Sequence, residues 1–279
     1  YDIDGGVWFG SNPDVESNGK KIPFAYSDGR RSYFIDSLES AKTYYYKAYA
    51  SNELGTVYGL REEFTTLQPD NDLVQDIDGN EYTTVKIGEQ WWMTENLAVS
   101  RYNDGSEIPI VTEDSEWSAL LSPGMAWYNN ENNTALEYGA LYNGFAVRTG
   151  LLCPEDWHVP SLDEWGVLFD YVYGGDARVS TSYSNFFHSG GELKETGTEH
   201  WHHPNNSAYD MFGFKALPGG ARDIDGSYAE RGLRAHFWTA TEVGFIVKMA
   251  EINLGNTSST AYIDESDRKQ GYSIRCIRD

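Results

Sequence analysis

The residues best suited to chemistry in this chain are its two cysteines, Cys153 and Cys276. Their spacing fits no zinc pattern, because no C-x-x-C motif or close histidine pairing accompanies them. The choice is therefore between two free thiols and a disulfide. Both cysteines adjoin strongly structured segments, which favours the disulfide and, with it, an oxidising compartment.

A second candidate site is the segment around Trp201, which contains His200, His202 and His203. A metal site needs ring nitrogens that converge, together with further ligands. His202 and His203 would point to opposite faces of any strand, so ligation by both is awkward. The segment is predicted to be a structural loop, and no metal or cofactor is assigned to the chain.

The tetrapeptide Asp-Ile-Asp-Gly occurs three times, starting at Asp2, Asp76 and Asp223. It resembles the first half of a calcium loop, whose twelfth position should be a bidentate glutamate. The residues at that position carry no carboxylate in any copy: they are Pro13, Ile87 and Arg234. The repeats are therefore predicted to be hairpin turns with glycine at a positive φ.

The charge of the chain limits its partners. Its 279 residues include 43 acidic and 21 basic side chains, which give a net charge of −22. Such a surface repels phosphate backbones and anionic membranes. No run of about eighteen apolar residues is present, so no spanning helix is predicted. No pair of carboxylates stands out for acid–base catalysis, and the chain is predicted not to be an enzyme.

Three tryptophans, Trp127, Trp201 and Trp238, lie near segments rich in glycine, asparagine or histidine. Aromatic side chains on loops commonly stack on sugar rings or on partner proteins. The three are candidate ligand contacts, with core packing as an equal alternative.

These candidates must be positioned by the elements that the sequence indicates. Ser161 and Glu164 form a capping box, and the helix that follows has apolar residues at helical spacing: Trp165, Leu168, Phe169 and Val172. A similar stripe predicts another helix at residues 137–148. A polar stretch at residues 68–73 is predicted to be a linker between a domain at residues 1–67 and a domain at residues 74–279.

The first domain contains a β-rich run at residues 43–51, a turn at residues 52–55 and a further strand pattern to residue 66. Leu38 and Tyr44 have the spacing of a tyrosine corner. With these features the segment resembles an incomplete fibronectin type III domain that lacks its first one or two strands. The resemblance implies an all-β sandwich that acts as a spacer.

The second domain carries a closer resemblance, in seven phrases that occur in order: DIDGN (76–80), WMTENL (92–97), YGALYN (138–143), CPEDWHVPS (153–161), GFKALPGG (213–220), WTATE (238–242) and IRC (274–276). They are similar to the Fibrobacter succinogenes major paralogous domain, a family of exported bacterial surface proteins. Residues 157–165 are also distantly similar to the formylglycine-generating enzyme family.

The resemblance implies an α+β, C-type-lectin-like fold with two helices and antiparallel sheets, in which Cys153 and Cys276 are paired with each other. The formylglycine-generating enzymes oxidise a substrate cysteine and need two nearby cysteines of their own for copper. No second cysteine lies near Cys276, so that chemistry is not expected.

The resulting hypothesis is an exported bacterial surface protein, lipid-anchored through a missing N-terminal segment, whose lectin-like domain binds a glycan or a surface protein. Residues 219–242 are predicted to form the contact face, with Arg222, Tyr228 and Trp238 as contacts. The alternatives are a structural cell-surface or fimbria-associated component and a diverged enzyme of the formylglycine-generating fold.

Overall fold

The computed structural model describes residues 4–27, 30–32, 35, 38–39, 42–66, 73–131, 135–174, 185–187, 190–244 and 248–279. The chain divides into two compact units, residues 1–69 and 70–279. Both units are built mainly of antiparallel strands, which confirms the β-rich class predicted from the sequence. None of the helices in these described ranges is long and apolar enough to cross a membrane.

The described part of the first unit contains one short helix and six strands: β1 (Asp4–Gly10), α1 (Val15–Asn18), β2 (Lys20–Pro23), β3 (Ala25–Ser27), β4 (Arg30–Ser32), β5 (Thr43–Asn52) and β6 (Gly55–Thr65). Four strands form a sheet in the order β2–β1–β5–β6, and β3 pairs with β4. The buried cluster on this sheet is small and consists of Phe9, Ile22 and Tyr44. Edge strand β6 is exposed along its whole length.

Tyr44 forms the contact that its spacing from Leu38 predicts. Its hydroxyl accepts a hydrogen bond from the backbone N–H of Glu39 at 2.9 Å, and Leu38 packs against the same cluster. This is the hydrogen bond of a tyrosine corner. The turn predicted at the first Asp-Ile-Asp-Gly copy is wrong, because Gly5 lies within β1 opposite Ala50; Asp2 is outside the described residues.

The second unit contains four helices and fifteen strands in the part that is described: β7 (Val74–Gln75), β8 (Glu81–Tyr82), β9 (Thr84–Ile87), β10 (Gln90–Met93), α2 (Asp114–Ala119), β11 (Met125–Ala126), α3 (Ala135–Tyr138), β12 (Leu141–Asn143), α4 (Gly144–Val147), β13 (Trp157–His158), α5 (Leu162–Val172), β14 (Asn185–Phe187), β15 (Ala221–Arg222), β16 (Tyr228–Ala229), β17 (Arg234–Val243), β18 (Lys248–Gly255), β19 (Ala261–Asp267), β20 (Gly271–Tyr272) and β21 (Ile277–Arg278). Three sheets have the orders β13–β21–β10–β9, β11–β12–β20–β15–β16 and β14–β19–β18–β17.

The capping box predicted at the start of α5 is confirmed. The Ser161 hydroxyl accepts from the Glu164 N–H, and the Glu164 carboxylate accepts from the Ser161 N–H at 2.7 Å. The helix buries its apolar face, which includes Trp165, Leu168 and Phe169. This face packs in a core cluster with Trp92, Phe214 and Phe237, among others.

The helix predicted at residues 137–148 is wrong. Helix α3 ends at Tyr138, residues 141–143 form β12, and the short helix α4 starts again at Gly144. Gly139 has a φ of +73°, and a Cβ there would lie 2.6 Å from the Asn96 Cβ. This position therefore requires glycine, and the left-handed turn interrupts the helical stripe.

Cys153 and Cys276 are joined in a disulfide, as predicted. Both sulfurs lie in a core cluster that also contains Tyr142, Trp238 and Tyr272. The bridge spans 123 residues, and the chain-entropy model assigns roughly 4–5 kcal/mol of stabilisation to a loop of that length.

The hairpin turns predicted at the second and third Asp-Ile-Asp-Gly copies are confirmed. Strand β7 pairs with β8 across the second copy, and β15 pairs with β16 across the third. Gly79 and Gly226 have φ values of +88° and +95°. In the second copy the Asp76 carboxylate accepts hydrogen bonds from the backbone N–H groups of Asp78 and Asn80, so it is occupied in closing the turn.

Two buried cationic side chains, Lys194 and Arg275, stabilise loops of the second unit by donating hydrogen bonds to backbone carbonyls. The Lys194 ammonium donates to the carbonyls of Asn206, Gly255 and Ser258 at 2.8–3.0 Å. The Arg275 guanidinium donates to the Asn96 side chain and to carbonyls of other segments. Because buried carbonyls need donors, these contacts hold irregular backbone in one conformation.

Candidate functional site

Two of the predicted contacts lie in the core. Trp238 has no exposed surface; its indole N–H donates to the Tyr142 carbonyl at 2.7 Å and its ring packs on Tyr272. Trp201 is equally buried and donates to the Ala216 carbonyl at 3.0 Å. Neither ring can stack on a ligand at the surface, so their assignment as contacts is corrected to a packing role.

Trp127 is only partly buried, but it packs against the core cluster of the disulfide. It lies between strand β11, which ends at Ala126, and the 3₁₀ turn at Tyr128–Asn130. Its place in the fold is to anchor the start of that turn, and the next residue, Tyr128, reaches the surface.

Arg222 is fully buried beneath the predicted contact face. Its guanidinium donates to the carbonyls of Val111, Thr112 and Gly226, and it lies 3.4 Å from the Asp114 carboxylate. Burial lowers its pKa, although Asp114 and Tyr228 oppose that shift. Arg222 is therefore a support for the face and does not touch the surface.

Tyr228 is the predicted contact that the structure places at the surface. One side of its ring is 4.8 Å from the Arg222 guanidinium carbon, and its centroid is 5.2 Å from that of Tyr128 at a tilt of 51°. The hydroxyl donates to the Asn130 side-chain oxygen at 2.9 Å. The ring is partly exposed.

Arg231 lies between Tyr128 and a third ring, that of Tyr138. Its guanidinium carbon lies 4.6 Å from the Tyr128 centroid and 5.8 Å from the Tyr138 centroid. The nearest carboxylate, that of Glu131, is 3.4 Å away, and the Arg231 side chain is 29% exposed. We call the four residues Tyr128, Tyr138, Tyr228 and Arg231 the tyrosine face.

Two of the segments that carry the tyrosine face contain residues at positive φ. Asn129, Asn130 and Glu230 have φ values of +53°, +59° and +66°, a conformation that asparagine tolerates and glutamate rarely adopts. Such conformations cost about 1–3 kcal/mol each and cluster at functional sites. Here they occur in the two loops from which Tyr128 and Arg231 project.

The turn that carries Arg231 is held from below by a buried histidine. His236 lies between two carboxylates: Nε2 is 2.8 Å from Glu230 and Nδ1 is 3.0 Å from Glu251. Burial lowers the pKa of His236, but Glu251 and Glu230 outweigh it and raise this pKa to about 9. The imidazolium thus fixes Glu230, the strained residue that precedes Arg231.

The predicted histidine loop separates its three imidazoles. His200 packs edge-on to Tyr138 and lies within 3.3 Å of both Glu137 and Glu195. His202 abuts Gly232, which follows Arg231, and His203 is exposed. In the described ranges no group of three or more histidine, cysteine, aspartate or glutamate residues is arranged to hold a metal.

The tyrosine face offers aromatic rings, hydroxyls and one guanidinium to a ligand, and the side-chain amides of Asn129 and Asn130 lie beside it. It contains no thiol nucleophile, because the disulfide uses both cysteines of the chain. Its parts can stack and donate hydrogen bonds. The sequence pattern did not single out Tyr128, Tyr138 or Arg231; the only local signal is the Tyr-Asn-Asn sequence at a turn, beside a predicted candidate.

The comparisons with known proteins give one match. The model of the Fibrobacter succinogenes major domain matches residues 85–278, which include every residue of the tyrosine face. No curated protein matches the chain, and no solved structure matches it. The chain belongs to the family of the Fibrobacter succinogenes major domain.

Proposed function

We propose that the second unit is a non-catalytic binding module that takes a glycan on the tyrosine face. The observation that carries the proposal is the convergence of three partly exposed tyrosines and one arginine from segments that are distant in the sequence. Aromatic faces pack on the C–H faces of sugar rings, and adjacent polar groups bond the hydroxyls. Nucleic acid is a poor alternative, because the net charge is −22.

The protonation states support hydrogen bonding to hydroxyls. Burial and the neighbouring Glu137 raise the pKa of Tyr138 to about 12. Burial also raises the pKa of Tyr228. Both phenols therefore keep their protons at neutral pH, and they donate them to the Asn130 side chain (Tyr228) and to Glu137 (Tyr138). Each hydroxyl oxygen can still accept a hydrogen bond from a sugar hydroxyl.

The pre-formed support of the face also favours binding. Arg222 backs Tyr228 from the core, and the His236–Glu230 pair holds the turn of Arg231. Side chains fixed in this way lose less conformational entropy when a ligand binds. A rigid face of this kind suits adhesion, in which many weak contacts act together.

We further propose that the module has a C-type-lectin-like fold and is exported to the cell surface, lipid-anchored, with the first unit as a fibronectin type III-like spacer. The disulfide supports an oxidising compartment, because such bonds persist outside the reducing cytosol. The Tyr44 corner supports the spacer, since that contact is typical of β-sandwiches.

A structural, assembly-associated role is the second candidate, and strand β6 favours it. This edge strand is eleven residues long and exposed throughout, with Val57 at 70% and Leu60 at 84% exposure. An open edge can accept a strand from another subunit. Co-purification of the intact protein with a surface assembly, without glycan binding, would favour this role.

The test of the proposed function is a glycan array probed with the wild type and with Tyr128→Ala and Tyr228→Ala. We expect each substitution to reduce the bound signal at least about fivefold, because a stacked aromatic contact contributes on the order of 1–3 kcal/mol. Tyr173→Ala is the matched control, since Tyr173 is 48% exposed at the end of α5. Binding that survives both face substitutions would contradict the proposal.

A further inference from the structure

We propose that the tyrosine face selects uncharged glycans and discriminates against both anionic and cationic ones. This inference deepens the proposed function and rests on it. It follows from the charged groups around the rings, which act on a ligand before any contact is made.

The rim of the face is acidic. Carboxylates with large exposed fractions surround the rings: Asp114 (66%), Glu137 (47%), Glu131 (45%) and Glu230 (40%). Asp114 acts electrostatically on Tyr228, and Glu137 acts on Tyr138. A uronate, sialate or sulfate group placed over Tyr138 or Tyr228 would therefore lie close to a carboxylate.

The nearby arginines are already paired with carboxylates, so each of these cations has a partner before an anionic glycan approaches. Arg222 is buried with its N–H groups directed to backbone carbonyls, and Arg234 is 3.1 Å from Glu230. Arg231 lies 3.4 Å from Glu131. A pair of like charges about 4 Å apart at a solvated surface repels by about 1 kcal/mol, which is roughly fivefold in affinity for a single contact.

A cationic ligand meets a different obstacle. The face of an aromatic ring attracts cations, but Arg231 already occupies that position at both Tyr128 and Tyr138. At Tyr228 the same position, over one face of the ring, is taken by Arg222. An amino sugar that stacks on these rings would bring its ammonium group close to a guanidinium group, and the two positive charges would repel each other.

A neutral sugar avoids both penalties. Its C–H groups can pack on the exposed parts of the rings, and its hydroxyls can bond the Asn129 and Asn130 side chains, which are exposed at the loop tip. These contacts require no charge neutralisation. Binding of a neutral glycan is therefore expected to depend little on salt, in contrast to binding of an anion.

The experiment is an array of neutral, uronate or sulfated, and amino glycans probed with the intact chain, with Tyr128→Ala as the reference for specific signal. A matched titration follows: hexagalacturonate against its methyl ester, and chitohexaose against its N-acetylated form, at 20 and 150 mM NaCl. On the array, we expect a signal that depends on Tyr128 for neutral glycans only. In the titration, we expect the charged member of each matched pair to bind with at least about fivefold lower affinity than the neutral member at 20 mM NaCl.

A double variant, Glu131→Gln with Glu137→Gln, separates charge from shape. It should narrow the gap between anionic and neutral glycans at 20 mM NaCl about threefold or more and leave the neutral signal within twofold. Equal binding of charged and neutral glycans, still lost in Tyr128→Ala, overturns this inference and leaves the proposed function intact. If no glycan class gives a signal that depends on Tyr128, the proposed function and this inference are both overturned.

Discussion

Arg222 and Arg231 lie nine residues apart and both stack on tyrosines, yet their surroundings are opposite. Arg222 is fully buried between Trp117 and Tyr228, at 4.5 and 4.8 Å, and donates to three backbone carbonyls. Arg231 is 29% exposed and forms a solvent-exposed ion pair with Glu131 at 3.4 Å. An arginine stacked on tyrosine thus supports the core at position 222 and is accessible to a ligand at position 231.

The contrast separates the contacts that stabilise the fold in this region from those that are available to a ligand. A buried guanidinium satisfies several acceptors that water cannot reach, so its removal leaves them all unsatisfied. An exposed guanidinium can be replaced by water at little cost to folding. Stability is therefore expected to depend on Arg222, and ligand recognition on Arg231.

The largest expected effect is that of Arg222→Met on stability. We expect the free energy of unfolding to fall by about 3–5 kcal/mol, because the buried carbonyls of Val111 and Gly226 lose their donor. Urea denaturation followed by tryptophan fluorescence measures it, since all tryptophans except Trp8 lie in the second unit. Arg222→Lys should lose less, because the charge and one donor remain. A change below about 1 kcal/mol for Arg222→Met would refute the scaffold role.

The second expected effect concerns the support beneath Arg231 and depends on pH. The pKa of His236 is raised to about 9 from its ordinary value near 6.5, so its contribution to stability is complete below pH 6.5. That contribution is lost as the pH rises through 9, and it amounts to about 3 kcal/mol. Denaturation midpoints between pH 6 and 10 measure it. His236→Gln is the control and should flatten this part of the profile; a wild-type profile as flat as that of the variant would contradict the assignment.

A smaller effect on folding is expected for Arg231→Ala. The exposed ion pair and the cation–π contacts contribute about 0.5–1 kcal/mol together, so the denaturation midpoint should move little. Glycan binding should fall severalfold, because Tyr128 and Tyr138 lose the side chain that orders them. If Arg231→Ala destabilised the protein as much as Arg222→Met, the assignment of a folding role to Arg222 and a binding role to Arg231 would be contradicted.

The smallest effect is expected for Glu131→Gln. Glu131 is 45% exposed, and its contact with Arg231 is screened by solvent. The free energy of unfolding should change by less than about 0.5 kcal/mol. Thermal denaturation in low salt is the most sensitive measurement, and a larger loss would mean that the surface arginine also has a folding role.

The sequence predicted the elements whose signals are local. The capping box of α5, the two later Asp-Ile-Asp-Gly turns and the Tyr44 corner each depend on residues close together in the chain. The disulfide was predicted because the two cysteines fit no zinc pattern and adjoin structured segments, and the family resemblance implied the same pairing. The helix predicted at residues 137–148 failed because Gly139 meets the Asn96–Leu97 backbone, a contact that no local pattern reveals.

The candidate site was harder to predict, because its parts come from distant segments. Tyr228 was identified and is at the surface, whereas Trp238 was placed there wrongly. Strand β17 is buried on both faces from Ala235 to Thr239, so alternation could not show which side chains were accessible. The role of Arg231 depends on tyrosines about 90 and 100 residues earlier in the chain, and only the folded structure brings them together.

The disulfide has a mechanical consequence for any protein that holds a ligand under tension. The bond from Cys153 to Cys276 closes 123 residues, a length of chain that could otherwise extend by about 400 Å. Tension entering from outside this segment passes through the sulfur–sulfur bond and bypasses the enclosed chain. Tyr228 and Arg231 lie inside the shielded segment, so half of the tyrosine face would keep its shape under a pull that unravels unprotected strands.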